Sequence, residues 1–127
     1  MLASAPGIAF LPSTDLRRSR QFFEHDLGLS VEALTDYACV LHAGSTTLRV
    51  TLVDQLRPQP FTVFGWWVVD IRSTVHDLAT SGITCLDYDG LDQDPAGIWT
   101  TPAGDQVAWF PDPDGNVLSL TQPRLPD

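Results

Sequence analysis

The hydrophobic positions in the first half of the chain predict one strand, one helix and three further strands. Apolar residues at Ile8–Pro12 form the first strand candidate, and the Ser13-Thr14-Asp15 sequence after it is typical of a helix N-cap. The helix is predicted over residues 16–27 and ends at Gly28, a common C-terminal residue of helices. The three strands that follow are predicted at Ser30–Leu34, Tyr37–His42 and Thr46–Val53.

The second half repeats this order after a Pro-rich connector. Val63–Asp70 is rich in β-branched and aromatic residues and predicts a strand. A helix with apolar residues on one face follows from Ile71 and ends at Gly82. Residues 112–116 favour a tight turn, because Pro sets φ while Gly and Asn accept positive φ. The remaining strands are predicted at Ile83–Tyr88, Ile98–Thr101, Gln106–Phe110 and Val117–Gln122.

The spacing of equivalent residues indicates an internal repeat. Asp15 and Asp70 are 55 residues apart, and Gly28 and Gly82 are 54 residues apart. Because repeats outweigh local propensity as a fold signal, we predict an α+β fold of two βαβββ modules around a shared cleft, with the helices outside. An α+β sandwich whose halves match by chance is the alternative. The predicted boundaries are 1–127 for a single domain, about 7–54 and 62–123 for the modules, and about 55–61 for the connector.

The charge balance bears on the choice of partner. The chain has 16 acidic residues against seven arginines and no lysine, a formal net charge of −9. Such a surface repels phosphate groups, which argues against nucleic acid and anionic membranes. It would attract a cationic partner, although an acidic surface also serves simply to keep a protein in solution.

Length and hydropathy are those of one globular domain. The 127 residues suffice for one hydrophobic core, and no run approaches the roughly 20 apolar residues of a membrane span. Met1–Gly7 does not have the features of a secretory signal, so we expect a cytoplasmic protein. Cys39 and Cys85 fall within predicted strands and are interpreted as reduced thiols of the core.

Three parts of the sequence carry a family resemblance. They are Ala9–Leu16 with Phe22-Phe23 and Leu27–Leu29, the strand and helix from Val68 to Gly82, and the closing Phe110–Leu120 with its Pro-Asp-Pro-Asp-Gly-Asn turn. In these segments the chain resembles the vicinal-oxygen-chelate superfamily of glyoxalases, bleomycin-resistance proteins and dioxygenases. The resemblance implies paired βαβββ modules that form a half-open mixed β-barrel, usually in a dimer.

The resemblance also implies four positions at which enzymes of this superfamily bind a divalent metal through His, Glu or Gln. Divalent metals need imidazole, carboxylate or thiolate donors, and no suitable donor occupies these positions here. We therefore expect no metal, no other cofactor and none of the metal-dependent reactions of the superfamily. The four positions correspond to Ile8, to Arg49 or its same-face neighbours Thr47 and Thr51, to Phe64 and to Ser119.

Strand alternation separates the predicted strands into two faces. Residues in phase with the four positions are expected to line the cleft, and residues out of phase to pack beneath the helices. The packed set is almost purely apolar, whereas the other mixes rings, hydroxyls and one arginine, as binding pockets do. The cleft-lining set is Ile8, Phe10, Thr47, Arg49, Thr51, Phe64, Trp66, Val68, Ser119 and Thr121. The packed set is Ala9, Leu11, Leu48, Val50, Leu52, Trp67, Val69, Leu118 and Leu120.

Aromatic side chains are the main candidates for ligand contact. Phe10, Phe64 and Trp66 would stack on a planar ligand, although Trp66 would serve equally well as a core residue. Trp99 and Trp109 lie in later strands whose facing the sequence leaves open. Trp109 is nevertheless included among the ligand-binding candidates.

Polar side chains suggest more specific roles. Arg49 would hold a carboxylate, phosphate or carbonyl through its planar fork, and its alternative is a salt bridge to Asp54, Asp105 or another acid. His42 is a candidate general base, although the sequence places no acid beside it. The acidic segment 87–95 would either close over the cleft or remain a solvated loop.

These observations favour a metal-free small-molecule-binding protein similar to the bleomycin-resistance branch. Its ligand would be aromatic or drug-like, with a cationic ligand suited to the acidic chain, and the protein is expected to form a homodimer. The alternative is a metal-independent isomerase or lyase in which Arg49 stabilises an oxyanion and His42 moves protons. A metal enzyme with ligands at other positions is a third hypothesis, and the sequence leaves open whether any reaction is catalysed.

Overall fold

The chain folds into two compact units that share one topology. The computed structural model describes residues 1–126 and divides the chain within the Pro-rich connector, into Met1–Pro58 and a second unit that begins at Gln59. Each unit contains one helical segment and one four-stranded mixed sheet, and neither sheet closes on itself. The predicted α+β class and the repeated module are therefore confirmed.

The first unit has the strand order β1-β4-β3-β2. The edge strand β1 runs parallel to β4, and the other neighbours are antiparallel. The last strand of the module therefore pairs with the first, as in a βαβββ unit. Its elements are β1 (Ile8–Ser13), α1 (Leu16–Arg20), a π-helical continuation (Gln21–Asp26), β2 (Ser30–Leu34), β3 (Ala38–Ala43) and β4 (Thr46–Leu52).

The first helix begins where the sequence predicts and changes its winding half-way. The Asp15 side chain accepts a hydrogen bond of 3.1 Å from the backbone N–H of Arg18, which satisfies one free donor of the first turn. From Gln21 onward the turns widen, and the N–H of Leu27 donates to the carbonyl of Phe22, five residues back. The wider turn accommodates Phe22 and its neighbour in the core side by side, since both rings are buried.

One face of the first sheet is buried beneath this helix. Leu11, Leu48 and Val50 are at most 1% exposed, and they alternate with residues that remain partly accessible. The helix packs against β3 and β4. Fully burying a leucine or valine stabilises the fold by roughly 1.5–3 kcal/mol, so this face contributes most of the unit's hydrophobic stabilisation.

The second unit has the equivalent order β5-β8-β7-β6. The edge strand β5 runs parallel to β8, and α2 packs against β7 and β8. Asp70 caps α2 as Asp15 caps α1, because its carboxylate accepts a hydrogen bond from the N–H of Ser73. The elements are β5 (Thr62–Trp67), α2 (Ile71–Thr80), β6 (Trp99–Thr100), β7 (Gln106–Pro111) and β8 (Val117–Gln122).

Two predicted strands of the second unit need correction. The strand predicted at Ile83–Tyr88 is irregular chain instead, so Cys85 lies outside any strand and is half-buried. In this segment the Gln93 side chain donates to the carbonyl of Leu86 and accepts from the N–H of Tyr88, and the N–H of Leu86 donates to the carbonyl of Trp109 in β7. The strand predicted at 63–70 ends at Trp67, before the cap of α2.

The turn between β7 and β8 is organised by a buried carboxylate. Asp112 is 5% exposed, and its Oδ1 accepts from the backbone N–H groups of Asp114 and Asn116 at 3.0 and 2.8 Å. Its Oδ2 accepts from the side-chain amide of Asn116 at 2.9 Å. Burial raises the pKa of Asp112 above its ordinary value, although these hydrogen bonds oppose the shift.

We expect Asp112→Ala to lower the free energy of unfolding by about 1–3 kcal/mol, because it leaves buried donors of the turn without an acceptor. A carboxyl whose pKa is raised by folding contributes most at low pH, and its contribution falls as the pH rises through the folded pKa. The loss should therefore be larger below pH 3.8, the ordinary pKa of an aspartate, than at pH 7 in urea titrations. Asp89→Ala removes an exposed carboxylate from the same unit and should leave stability nearly unchanged. Equal losses in the two variants would contradict the role of Asp112.

Candidate functional site

The open face of the first sheet is the face that alternation predicts. Phe10 pairs in register with Arg49 of β4, which in turn pairs with Val40 of β3. Partners in register share a face, and none of these three residues is buried. Their role in binding remains a prediction. The face consists of Ile8, Phe10, Val40, His42, Thr47, Arg49 and Thr51.

Arg49 is a half-buried cation without a protein partner. The Arg49 side chain makes no hydrogen bond and no ion pair with any described residue. The salt bridge to Asp54 that the sequence allowed therefore does not form. Asp105, the other acid considered, accepts a hydrogen bond of 2.8 Å from the backbone N–H of Arg124. The guanidinium therefore retains its donors for another group.

His42 has an acidic neighbour that sequence reasoning missed. Its Nε2 lies 3.4 Å from Oε1 of Glu32 on the neighbouring strand β2. The register of β2 shifts between Val31 and Ala33, so Glu32 sits at an irregularity that a regular alternation does not reveal. An imidazole beside a carboxylate is an arrangement that can accept and pass on a proton.

In the second unit, the predicted facing of β5 is wrong. Phe64 and Trp66 pair in register with Leu118 and Leu120, which are at most 3% exposed, so both rings lie on the buried face. The Trp66 ring stacks on the buried Phe110 ring with 6.1 Å between centroids. The physical reason is an irregularity between Thr62 and Phe64, which changes the phase of the strand.

The same shift brings Gly65 to the open face, at the level of Ser119. A Cβ added to Gly65 would lie 3.0 Å from the Ser119 carbonyl oxygen and closer still to its Oγ. A side chain at position 65 would therefore require Ser119 to shift. Within residues 1–126, no group of three His, Cys, Asp or Glu side chains is arranged to hold a metal ion.

The open face of the second sheet carries a group of aromatic rings, which we call the aromatic face: Trp67, Tyr88, Trp99 and Trp109. The Trp99 and Trp109 rings stack with 6.2 Å between centroids and 28° between planes. Tyr88 meets Trp109 edge-on at 5.2 Å. Trp67 is 78% exposed. One row of paired residues crosses the sheet from Trp67 on β5 to Trp99 on β6, through Thr121 and Val107. Serine and threonine hydroxyls of β8 lie between the rings, at Ser119 and Thr121.

The acidic segment after α2 supports this face through its own hydrogen bonds. Partial desolvation alone would raise the pKa of Asp94, but hydrogen bonds from Arg72 and from the backbones of Ile98 and Ala96 lower it below its ordinary value. The Arg72 Nη2 to Asp94 Oδ2 distance is 2.7 Å. Next to this ion pair, Asp92 and Trp99 line a groove of about 310 Å³. A carboxylate and an indole therefore lie along one groove.

Comparison with known proteins identifies the fold. No protein-family model matches the sequence, and no protein with a curated description matches it. Solved structures do match. A bleomycin resistance determinant encoded on the transposon Tn5 is 22% identical, covers 96% of this chain and 100% of its own, and has a TM-score of 0.72. Lactoylglutathione lyase from Agrobacterium tumefaciens is 15% identical, covers 96% of this chain and 96% of its own, and has a TM-score of 0.74. A glyoxalase family protein from Enterococcus faecalis is 20% identical, covers 96% of this chain and 100% of its own, and has a TM-score of 0.73.

The chain has the glyoxalase/bleomycin-resistance fold. The likeness extends over nearly the whole chain in each comparison, so the resemblance drawn from the opening and closing motifs is confirmed at the level of the fold. The identities of 15–22% carry the likeness no further than architecture. Among residues 1–126, no helix has the length and apolar character needed to cross a lipid bilayer.

Stacking of Trp99 on Trp109 should be visible in the far-ultraviolet circular dichroism of the protein. Two indoles in this geometry couple their excited states, and Trp99→Phe should remove the resulting band pair while leaving the backbone signal intact. Trp67→Phe, which removes an exposed indole outside the stacked pair, is the control. Identical changes in the two variants would show that the band pair does not come from Trp99 and Trp109.

Proposed function

We propose that this protein binds a planar aromatic small molecule on the aromatic face of its second unit. The observation that carries the proposal is the stacked Trp99–Trp109 pair on the same sheet face as Trp67, which is 78% exposed on the opposite edge strand β5. Large aromatic residues are seldom left so accessible without a function. Ligand sites commonly combine such rings with a few hydroxyls, here those of Ser119 and Thr121.

The charge of the chain favours a ligand that carries a positive charge. The net charge of −9 attracts cations, and Asp92 lies in the same groove as Trp99. A cation over an indole face gains a further attraction of about 0.5–2 kcal/mol. The Tn5 neighbour is described as a bleomycin resistance determinant, and its likeness in fold supports a binding role without assigning the same ligand.

Binding without a metal is part of the proposal. Superfamily resemblance implies a metal ligand at the position of Phe64, whose side chain is a hydrocarbon ring and supplies no donor atom. The other positions carry Ile8, Arg49 and Ser119, none of which is a preferred donor for a divalent ion. The lactoylglutathione lyase neighbour therefore supports the architecture more than the chemistry.

Fluorescence titration with a planar aromatic cation such as proflavine tests the proposal. The wild-type protein should show saturable quenching of tryptophan emission. Trp67→Ala should weaken binding about threefold to tenfold, since one aromatic contact contributes about 0.5–1.5 kcal/mol. Tyr37→Ala, which removes an exposed ring from the first unit, should leave the affinity unchanged. Absence of saturable quenching by a panel of aromatic cations would overturn the proposal.

A second copy of the chain is the protein partner that we propose. Strand β5 is an edge strand, and apolar residues lie along and beyond it: Phe61 is 58% exposed and Val69 is 97% exposed. Exposed apolar edges of this kind favour association.

Val69→Lys should shift the sedimenting species from dimer to monomer, because it places a charge in the apolar contact. Leu125→Lys introduces the same charge at another exposed leucine, 79% accessible and outside the sheet, and should leave the dimer intact. A wild-type protein that sediments as a monomer at all concentrations would rule out the homodimer.

A metal-independent isomerase or lyase is the second candidate function. The 3.4 Å approach of His42 to Glu32 favours it, because the pair provides a proton acceptor on an accessible sheet face that also carries Arg49. Turnover of a hydroxylated or ketonic substrate that survives in both His42→Ala and Glu32→Gln would exclude the pair as its base.

A further inference from the structure

The open face of the first unit contains the one arginine that lies on a sheet among the described residues. Arg49 is in the middle of β4, whereas the other arginines lie on helices, in the connector or after β8. Every buried side-chain nitrogen or oxygen of the described residues has a hydrogen-bond partner. Since Arg49 has none, its guanidinium nitrogens are in contact with solvent and accessible to a ligand.

Absence of a partner for Arg49 is notable in so acidic a chain. With 16 acidic residues available, Arg20 pairs with Glu24 at 3.1 Å and Arg72 pairs with Asp94 at 2.7 Å. The neighbouring strands β1 and β3 contain no acid, and Glu32 of β2, one strand further away, lies 3.4 Å from His42. A half-buried guanidinium has lost part of its hydration, and pairing with an anion compensates for that loss.

The surroundings of Arg49 consist of hydrogen-bond donors and apolar surface. Thr47 and Thr51 lie two residues to either side on the same strand and face, and their hydroxyls bond no other described residue. Phe10, directly across on β1, is 61% exposed. Ile8, at the level of Thr47, is 49% exposed. A bidentate acceptor at the guanidinium would thus have two hydroxyls beside it and a ring on which its carbon body could pack.

We propose that Arg49, Thr47 and Thr51 form a binding site for the carboxylate of a small organic acid, whose apolar body packs on Phe10. A carboxylate fits the planar fork of arginine with two parallel hydrogen bonds, and the aromatic ring favours an aryl or branched aliphatic acid over a bare inorganic anion. The observations that carry this site come from the first sheet, and those that carry the aromatic face come from the second. The site extends the ligand chemistry of the protein from aromatic cations to organic anions.

Benzoate and its neutral counterpart benzamide distinguish charge recognition from simple ring stacking. Binding is followed by calorimetry and by the NMR shift of the Arg49 Nε–H in the full-length protein. We expect benzoate to bind measurably more tightly than benzamide. Arg49→Gln should weaken benzoate at least about tenfold, because charge-assisted hydrogen bonds contribute about 1.5–3 kcal/mol. Arg17→Gln removes an exposed arginine from α1 of the same unit and should have no effect.

Each other outcome has a defined meaning. Equal loss in Arg49→Gln and Arg17→Gln would show that benzoate binding responds to the overall charge of the chain and not to Arg49, and would overturn the site. Loss of benzoate binding in Phe10→Ala, with Arg49 intact and the fold unchanged by circular dichroism, would support the ring as the platform. If Arg49→Gln changes the sedimentation of the protein and leaves benzoate binding intact, then Arg49 serves contact between copies and the proposal fails. Quenching by proflavine should be the same in Arg49→Gln as in the wild type, so failure of this site leaves the proposed function untouched.

Discussion

Each four-stranded sheet of this protein has a single helical segment to cover it, and a single helix covers one face. In the first unit that face consists of residues such as Leu11, Leu48 and Val50, and in the second of Phe110, Leu118 and Leu120. These residues bury almost all of their surface, which is the main source of stabilisation. The opposite face of each sheet is thereby left to side chains that are not needed for the core.

The consequences of this constraint differ between the two units. The open face of the first sheet carries hydroxyls, an unpaired arginine and a histidine beside a glutamate. In the second sheet the open face carries indole rings, and a glycine at position 65 lets β5 and β8 lie close together next to Ser119. One topology, written twice, thus presents two chemically distinct surfaces.

Backbone irregularities determine which side chains reach the open faces. Glu32 approaches His42 where β2 departs from regular pairing, and Trp67 replaces Trp66 on the open face because β5 is irregular after Thr62. The alternation rule assumes a regular strand. One extra residue moves every later side chain of that strand to the opposite face of the sheet. For this reason the facing of the regular strands β1 and β4 was predicted correctly except at Leu52, which is 41% exposed at the end of β4, and the facing of β5 was not.

The sequence by itself determined the repeat, the caps at Asp15 and Asp70, the turn at 112–116 and the fold class, because these depend on local chemistry and on spacing along the chain. It also separated the buried and open residues of β1 and β4 up to Val50. Only the tertiary structure decided the phase of β5, the irregular course of 83–88 and the stacking of Trp99 on Trp109. The phase of β5 depends on its pairing with the distant strand β8, and residues 83–88 are bonded by the Gln93 side chain and by the Trp109 carbonyl of β7. Pairing between distant segments leaves no periodic signal in either segment, and it is a physical property of the folded chain alone.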